Sequence, residues 1–258
     1  MTGVEAILAR ANALYALHAY LPISDFAQSA RRLSRALRGK PPSRQVTQLP
    51  QVSWREALAE RPIRLVETEK RFGNVNRAEL AVLALAAAHA PPAREIVEIG
   101  TFDGRTTLNL ALNAPKDAPV VTLDLPADQA TAFAIEQSEQ SLVDKPVSGE
   151  RFRACRPSLR AFAGRIRQVF GDSARYDWSP HHGRAGLVFV DGSHAYEYVH
   201  NDSETAFRLV QPPGMVIWHD YGVWPGVTRA LEELEKSRNL GLRHIRGTSL
   251  VLWRADGR

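Results

Sequence analysis

Hydrophobic and polar positions divide the chain into two parts with different patterns. Up to about residue 72, apolar residues recur at helical spacing and predict two helices, the second from about Asp25 to Leu37. One face of the first helix is suited to docking on the rest of the chain or on another subunit: Ile7, Leu8, Ala11, Leu14, Tyr15 and His18. From residue 73 onward, short apolar runs alternate with amphipathic segments, which is typical of a mostly parallel sheet covered on both faces.

The apolar runs predict five strands of that sheet. They are Ile96–Ile99, Val120–Leu125, Ile166–Phe170, Gly186–Val190 and Met215–Trp218. Helices are predicted at Arg77–His89 with Asn76 as the cap, Thr106–Asn113, Gln129–Val143, Tyr196–Val210 and around Val227–Leu234. The last two runs, Leu242–Ile245 and Ser249–Trp253, predict an antiparallel hairpin. We therefore expect an α/β fold with a Rossmann-like doubly wound sheet, mostly parallel, that ends in this hairpin.

Segments without periodicity set the predicted limits of the domains. Gly39–Pro50 contains three prolines and indicates a linker, and Ile63–Phe72 is either an edge strand or an extended arm. We expect an N-terminal helical extension and linker over residues 1–72 and one domain over residues 73–258. Asp144–Gly164 is long, basic and irregular, as lids and binding loops often are, so a lid insertion is predicted over about 126–165.

Composition narrows the class of protein. The chain has 258 residues and a single cysteine, Cys155, which excludes an internal disulfide. No apolar run approaches the roughly 20 residues that span a membrane. The first residues lack the features of a signal peptide, so we expect a cytoplasmic protein.

The basic residues are unevenly distributed along the chain. The net charge is +5, and six basic residues without an acid lie between Phe26 and Trp54. They form either a solvated helix face and linker or a contact for nucleic acid, lipid or an acidic partner. We expect the N-terminal helices to carry a homo-oligomer contact.

Acidic residues follow or end every predicted strand of the parallel sheet. They are Glu98, Asp124, Asp172, Asp191 and Asp220. Ligands bind at the carboxyl ends of the strands in such a sheet, and a buried carboxylate is costly unless it has a partner. Five acids at this edge therefore predict a ligand site.

The turn after the first strand restricts the type of ligand. Its spacing is Glu98-x-Gly100-x-x-x-Gly104, with Phe102 where a dinucleotide site has a second close glycine. Asp124 follows twenty residues after Gly104 and suits the two hydroxyls of a ribose. The turn therefore favours a ribose ligand without phosphates, although it does not exclude NAD.

Three motifs resemble those of class I S-adenosylmethionine-dependent methyltransferases: VEIGTFDGRTT at residue 97, LDLP at residue 123 and FGDS at residue 170. The resemblance covers the chain from about residue 74 to its end. It implies that the methionine part of the cofactor lies near the first motif, the ribose near Asp124 and the adenine near Asp172. The residues implied to bind S-adenosylmethionine are Glu98, Gly100, Thr101, Phe102, Gly104, Thr106, Asp124, Leu125, Asp172, Ser173 and Asp191.

Two further motifs, FVDGSHAYEYVHND and VIWHDYGVWPGV, resemble the bacterial small-molecule O-methyltransferases grouped with cephalosporin and macrolide-sugar tailoring enzymes, and more distantly the catechol-type enzymes. That resemblance implies a divalent cation such as Mg²⁺ on Asp191 and Asp220. Tyr221 stands where the catechol group has an amide ligand, and His219 is an alternative ligand. The sequence therefore leaves metal-dependent and metal-independent sites open.

His194 occupies the place of the catechol-type lysine base. An imidazole, with a reference pKa of about 6.5, suits a general base near neutral pH. His194 could instead cap the following helix or orient Asp191, and the same two interpretations apply to His219. The predicted catalytic residues are His194, Asp191 and His219.

These observations predict an enzyme that methylates the hydroxyl of a small molecule or sugar. The alternatives are a nicotinamide-dependent oxidoreductase and a non-catalytic methyltransferase-like partner domain. The sequence lacks the Asn/Asp-Pro-Pro-aromatic motif of base-modifying enzymes, which argues against a nucleic-acid substrate. Lid arginines at 151, 153 and 156 hint at an anionic or glycosylated acceptor.

Overall fold

A single eight-stranded sheet organises the molecule. We describe it from a computed structural model over residues 1–41, 45–135, 137–143 and 147–255. Its strands are β1 (Gln51–Val52), β2 (Glu95–Ile99), β3 (Val120–Asp124), β4 (Ile166–Phe170), β5 (Ala185–Val190), β6 (Val210–Trp218), β7 (Arg243–Ile245) and β8 (Val251–Arg254). They lie in the order β1-β7-β8-β6-β5-β2-β3-β4.

The pairing confirms the predicted fold class. Strands β2 to β6 pair in parallel, and β8 is antiparallel to both β6 and β7. Strand β1 adds a short parallel pair to β7 that the sequence pattern does not predict. Strand β6 begins before its predicted start at Met215 and includes Pro212-Pro213-Gly214, where its pairing with β5 shifts register. Strands β2, β3 and β5 are buried along their whole length, as expected for a sheet covered on both faces.

The helices cover both faces of the sheet. They are α1 (Gly3–Tyr15), α2 (Leu21–Leu37), α3 (Trp54–Ala57), α4 (Arg77–His89), α5 (Arg105–Asn113), α6 (Gln140–Val143), α7 (Glu150–Arg153), α8 (Arg160–Ala163), α9 (Tyr196–Leu209) and α10 (Pro225–Arg238). Asn76 caps α4 as predicted, because its side chain accepts from the Glu79 amide while the Glu79 carboxylate accepts from the Asn76 amide. No helix among the described residues is both long and apolar enough to cross a membrane.

The predicted helix over Gln129–Val143 is wrong. Among its described residues only a 3₁₀ turn at Gln137–Glu139 and α6 are helical. The amide of Ala132 donates instead to the Asp172 carboxylate at 2.6 Å and to the Tyr198 hydroxyl at 3.1 Å. The two side chains thus provide the hydrogen bonds that a carbonyl of the preceding helical turn would otherwise provide to this amide. Residues 136 and 144–146 of the predicted lid, like linker residues 42–44, lie outside the described residues.

Residues 63–72 form an extended arm and no strand, which decides between the two predictions for this segment. Two asparagines of α5 bind the arm's backbone. Asn109 accepts from the Val66 amide and donates to the Val66 carbonyl, both at 3.0 Å, and Asn113 does the same at Arg64 at 2.8 Å. The arm is thereby fixed along α5 without joining the sheet.

The N-terminal helices form one continuous run, because a π-helical turn at Ala16–Tyr20 joins α1 directly to α2. Helix α2 therefore begins at Leu21, and Asp25 does not cap it. Helix α1 packs on the domain through small residues, Ala9 and Ala13, and the turn adds Leu17 to the core. The predicted docking face lies on the other side, where Ile7, Leu8, Leu14 and Tyr15 are exposed. Of that face, His18 contacts Glu60 and Trp54, and Tyr15 lies under the Arg77 guanidinium, while the aliphatic residues stay exposed.

Candidate active site

A cavity of about 420 Å³ lies at the carboxyl ends of the central strands. Its size is within the usual range for small-molecule sites. Most of the residues predicted from the sequence line it together: Gly100, Phe102, Asp124, Leu125, Asp172, Ser173, Asp191, His194, His219 and Asp220. The residues predicted to bind the cofactor (the cofactor half of the site, such as Gly100 and Asp124) and those predicted to be catalytic (the catalytic half, Asp191, His194 and His219) therefore line one cavity.

Four predicted cofactor residues do not line the cavity. Glu98 is fully buried beneath the turn, where it accepts hydrogen bonds from the hydroxyls of Thr107 and, at 2.6 Å, Thr122. Thr101 shares a hydrogen bond of 2.6 Å with the same Thr122 hydroxyl. Gly104 caps α5, and Thr106 lies in the first turn of that helix. These four residues shape the turn from below.

Several residues of the turn after β2 have positive φ angles, in the left-handed region. Gly100 has a φ of 101°, and a Cβ at this position would lie 2.0 Å from the carbonyl oxygen of Asp191. No side chain fits between the turn and the end of β5. Phe102 and Asp220 also adopt positive φ, at 50° and 64°. Such backbone is uncommon for residues with side chains and concentrates at functional sites.

Asp103 ties the turn to the lid. Its carboxylate accepts from the Asn74 amide group at 2.9 Å, from the Arg151 guanidinium at 2.8 Å and from the Arg105 amide at 3.0 Å. The Gly149 amide also donates to the Phe102 carbonyl at 2.8 Å, and the Arg151 amide to the Asp103 carbonyl at 2.9 Å. Residues 149–151 of the predicted lid are therefore bound to the turn after β2, which we call the cofactor turn.

The lid arginines that hinted at an anionic or glycosylated acceptor make their contacts outside the cavity. Arg151 is buried against Asp103, Arg153 lies over the Phe170 ring, and Arg156 is paired with Glu5 at 3.5 Å. None of the three lines the cavity. Six carboxylates among the described residues line the cavity instead: Glu79, Asp124, Glu139, Asp172, Asp191 and Asp220.

The lid also touches the polar residues on the cavity wall. The Ser148 hydroxyl donates to the Asp124 carboxylate, and the Ala132 amide donates to Asp172. Glu139 accepts from the His194 amide and pairs with Nδ1 of the same histidine. The segment predicted as a lid therefore closes over both the cofactor half and the catalytic half.

Two histidines and four carboxylates form a cluster at the ends of β5 and β6. His219 Nδ1 lies 2.9 Å from Asp191 and 3.4 Å from Asp220, and its Nε2 lies 3.3 Å from Glu79. His194 Nε2 lies 2.8 Å from Asp220, and its Nδ1 faces Glu139. The His194 ring stacks on Trp224, with centroids 4.4 Å apart. Every ring nitrogen of the two histidines thus faces a carboxylate.

The carboxylates determine the charge of the histidines. Burial would lower the pKa of His194, but hydrogen bonds to Asp220 and Glu139 outweigh it and raise the pKa to about 9. Burial opposes protonation of His219 in the same way, and the charges of Asp191, Asp220 and Glu79 raise its pKa well above the ordinary value. Burial acts to raise the pKa of Asp220, but the facing histidines hold it below its ordinary value. Both imidazoles are therefore cationic at neutral pH in this arrangement.

Residues 97–221, which hold both halves of the site, match the sequence model of a protein family described as a methyltransferase domain. This segment of the chain is a methyltransferase domain. No curated protein sequence matches it.

Two solved structures share the fold of this methyltransferase. Cofactor-bound Rv0187 from MTB is 20% identical with a TM-score of 0.50, and the alignment covers 73% of this chain and 84% of that one. The O-methyltransferase NovP is 16% identical with a TM-score of 0.50, over 69% of this chain and 80% of NovP. At these identities the likeness establishes the fold alone.

The methyltransferase cavity contains a set of groups that fits a divalent cation. Asp191, His219 and Asp220 each offer one ligand atom, and these atoms lie within 4.8 Å of one another. Two carboxylates and an imidazole suit ions that accept mixed oxygen and nitrogen ligands, such as Mn²⁺ or Zn²⁺, better than Mg²⁺, which prefers oxygen. The predicted pair Asp191 and Asp220 is thus joined by His219.

Two residues of the cluster were not predicted from the sequence. In the sequence, Glu79 is the N3 residue of a capping box with Asn76. That pattern predicts the start of a helix, but it does not predict that the carboxylate reaches a ligand site. Its carboxylate also accepts from the amide and hydroxyl of Ser249, at 2.9 and 2.8 Å. Glu139 lies in the lid, where no periodic pattern places it opposite His194.

Glu98 makes the stability of the methyltransferase depend on pH. Burial raises its pKa to about 8, and its Oε1 has no hydrogen-bond partner among the described residues. The folded state therefore keeps a proton that the unfolded state releases above a pKa of about 4.5, so stability falls as the pH rises from about 4.5 to about 8. Asp202, whose pKa burial raises to about 7, acts in the same direction.

Replacing Glu98 with glutamine is expected to remove most of this dependence. At pH 8 the variant should be more stable by on the order of 3 kcal/mol, or roughly 5–10 °C in melting temperature. Near pH 4.5 the two proteins should melt together. Thermal unfolding followed by circular dichroism between these pH values measures the difference, with Glu69→Gln at an exposed position as control. A constant difference at every pH would contradict the protonated state of Glu98.

Proposed function

We propose that this methyltransferase transfers the methyl group of S-adenosylmethionine to a hydroxyl oxygen of a small molecule, with His194 as the general base. One observation carries the proposal: the cluster of His194, Asp191, His219 and Asp220 opens into the same cavity as Gly100 and Asp124. A base next to the methyl donor is what transfer to a protonated oxygen requires.

In this proposal the cofactor half binds the donor substrate. Asp124 accepts from the ribose hydroxyls, and Asp172 with Ser173 faces the adenine. The turn at Gly100 faces the methionine part, and glycine holds it against the end of β5, where no side chain fits. The carboxylates around the cavity favour a sulfonium cation, whose positive charge disappears when the methyl group leaves.

His194 takes the proton of the acceptor. The carbon–sulfur bond of the donor breaks as the new carbon–oxygen bond forms, and the hydroxyl proton moves to Nε2 of His194. In the resting site this nitrogen faces Asp220 at 2.8 Å. An acceptor hydroxyl that takes over the Asp220 contact lowers the pKa of His194 and frees Nε2, because one of the two bonds that raise the pKa is lost. Glu139 keeps hold of Nδ1 and orients the ring.

Asp191, His219 and Asp220 would hold a divalent cation in the metal-assisted form of this proposal. Such an ion, when bound, lowers the pKa of a coordinated hydroxyl. Without it, the His219 imidazolium offsets the charge of the two aspartates. In both forms the aspartates hold the acceptor oxygen beside His194.

The acceptor we propose is a neutral or cationic molecule with a flat apolar part, including sugar conjugates of that kind. Among the described residues, six carboxylates line the cavity against one lysine, Lys70, and the two histidines, and this excess of acidic groups disfavours an anionic acceptor. Apolar side chains border the catalytic half, with Trp224 half-buried and Phe72 and Val223 exposed at the rim. A cytoplasmic location and a homo-oligomer contact through the N-terminal helices stay predictions from the sequence.

Binding and transfer can be measured separately. We expect calorimetry to detect binding of S-adenosylmethionine to the folded protein, and methyl-labelled donor to label phenols, catechols or amino sugars in an acceptor panel. Label resistant to mild base would identify an ether product. Folded protein that does not bind the donor, or that enhances NADH fluorescence instead, would overturn the proposal in favour of the oxidoreductase alternative. Repeating the assay with a chelator and then with Mn²⁺ tests the metal.

A further inference from the structure

The continuous N-terminal helix leaves a long apolar stripe uncovered. On α2 the stripe consists of Ile23, Phe26, Ala30, Leu33 and Leu37, all of them exposed. Phe26 is 76% exposed and Leu37 80%. Leu21 is the only residue of α2 that the chain buries. An amphipathic helix in water owes most of its stability to packing of its apolar face, so this stripe requires a partner.

The spacing of the stripe is that of a helix pair. Its positions advance by three and four residues alternately, which is the heptad seam of a coiled coil. The positions beside the seam are small and uncharged: Ala27, Ser29, Ser34 and Ala36. Small flanking residues let two helices approach closely.

The stripe is also nearly symmetric about Ala30. Phe26 and Leu33 lie four and three residues from it, and Ile23 and Leu37 lie seven residues away on either side. Two copies laid antiparallel with Ala30 at the crossing would therefore place Phe26 against Leu33 and Ile23 against Leu37. A two-fold interface needs this self-complementarity, since each residue must meet its counterpart twice.

The charges of α2 are compatible with such a pair. Arg31, Arg32, Arg35 and Arg38 lie outside the seam and its flanking positions. At 100° per residue they are at least about 100° from the centre of the stripe, so the arginines of two paired copies point away from each other. A membrane-bound helix also has its arginines opposite the apolar face, so charge alone does not decide between the two partners.

The exposed area matches a stable dimer. Helix α1 adds Val4, Ile7, Leu8, Leu14 and Tyr15, which are 48% to 69% exposed. The two α2 stripes form the centre of the interface, and the α1 residues, 15 to 26 residues from Ala30, lie toward the body of the second copy. The exposed apolar surface of both helices is on the order of 1,000 Å², compared with about 800 Å² per partner in a standard interface. We infer that a second copy of this chain docks here, with the two α2 helices antiparallel and the two-fold axis near Ala30.

Sedimentation and light scattering test the assembly. The wild-type protein is expected to have twice the mass of one 28.6 kDa chain at micromolar concentration. Leu33→Glu should halve that mass, whereas Arg32→Glu, on the outer face of the same helix, should leave it unchanged. Unchanged far-ultraviolet circular dichroism and binding of S-adenosylmethionine would show that Leu33→Glu folds. A monomeric wild type, or a dimer that Leu33→Glu does not affect, would overturn the inference.

Disulfide trapping tests the geometry, in a Cys155→Ser background so that each variant has one thiol. Ala30→Cys is expected to cross-link with itself under mild oxidation, and Arg32→Cys is not. Ile23→Cys should cross-link with Leu37→Cys in a mixture but not with itself. Self-linking of Ile23→Cys would indicate parallel helices and overturn the antiparallel arrangement. Sedimentation of a monomer with phosphatidylglycerol vesicles, lost in Leu33→Glu, would assign the stripe to a membrane surface instead.

Discussion

Replacing His194 with glutamine is expected to lower kcat by about 10²–10⁴-fold, the usual contribution of a general base. Glutamine keeps a polar group near Glu139 and Asp220, so the fold and the affinity for S-adenosylmethionine should change little. The loss arises because no group with a suitable pKa remains to take the acceptor proton. Turnover with methyl-labelled donor, on an acceptor that the wild type methylates, gives kcat, and calorimetry gives the donor affinity.

The control for this variant is His182→Gln. His182 is exposed and lies outside the cavity, so its replacement should leave both measurements at wild-type values. A pH profile adds a second check, because general-base catalysis by His194 predicts a rate that rises with pH and a variant that loses the rising limb. If His194→Gln kept wild-type kcat but lost donor affinity, His194 would belong to the cofactor half and the assignment of roles would be reversed.

Replacing Asp124 with alanine is expected to weaken binding of S-adenosylmethionine by about 10²-fold. A carboxylate that accepts from two ribose hydroxyls makes charge-assisted hydrogen bonds, each worth about 1.5–3 kcal/mol, and alanine replaces neither. Asp124 ends the buried strand β3 and lines the cavity, so the ribose is the ligand part that we place within its reach. Calorimetry with S-adenosylmethionine and with its demethylated product measures the loss.

Two further variants make the Asp124 result specific. Asp124→Asn keeps the shape and one acceptor oxygen, so we expect a loss of about tenfold, between alanine and wild type. Asp128→Ala removes an exposed acid four residues away and should bind donor as the wild type does. Equal losses for donor and product are expected, because the ribose is common to both. An Asp124→Ala protein that binds donor normally would place the ribose elsewhere in the cavity.

The sheet could be predicted from the sequence because its evidence is local. Each buried strand appears as an apolar run, and the acids at its end follow directly in the chain, as Asp124 follows Leu123 and Asp191 follows Val190. Parallel pairing then brings the strand ends to one edge, so Asp124, Asp191 and Asp220 meet in one cavity without further information. The capping box at Asn76 was predictable for the same reason.

Contacts between distant segments could not be predicted in this way. Glu139 meets His194 across 55 residues, and Glu79 meets His219 across 140. No local pattern of residues marks either glutamate as part of the site, because the histidine that it contacts is far away in the sequence. The lid helix at Gln129 failed for a related reason, since the Asp172 and Tyr198 side chains take the hydrogen bonds of its backbone.

The face of α1 that the chain covers could not be predicted from apolar size. The large apolar residues predicted a docking face for the rest of the chain or for another subunit, whereas small residues, Ala9 and Ala13, let the opposite face of the helix approach the domain closely. The size of the apolar residues did not decide between the two predicted partners.

The lid is held very unequally on its two sides. Next to the cofactor turn, Gly149 and Arg151 add two backbone hydrogen bonds and a buried ion pair with Asp103. On the far side its described contacts with the catalytic residues come from Glu139, which holds His194. With fewer bonds on the catalytic side, we expect any opening of this segment to begin at Glu139 rather than at Asp103. The orientation of the His194 ring would then depend on closure of the segment, so the base would be positioned for proton transfer only while the acceptor is enclosed.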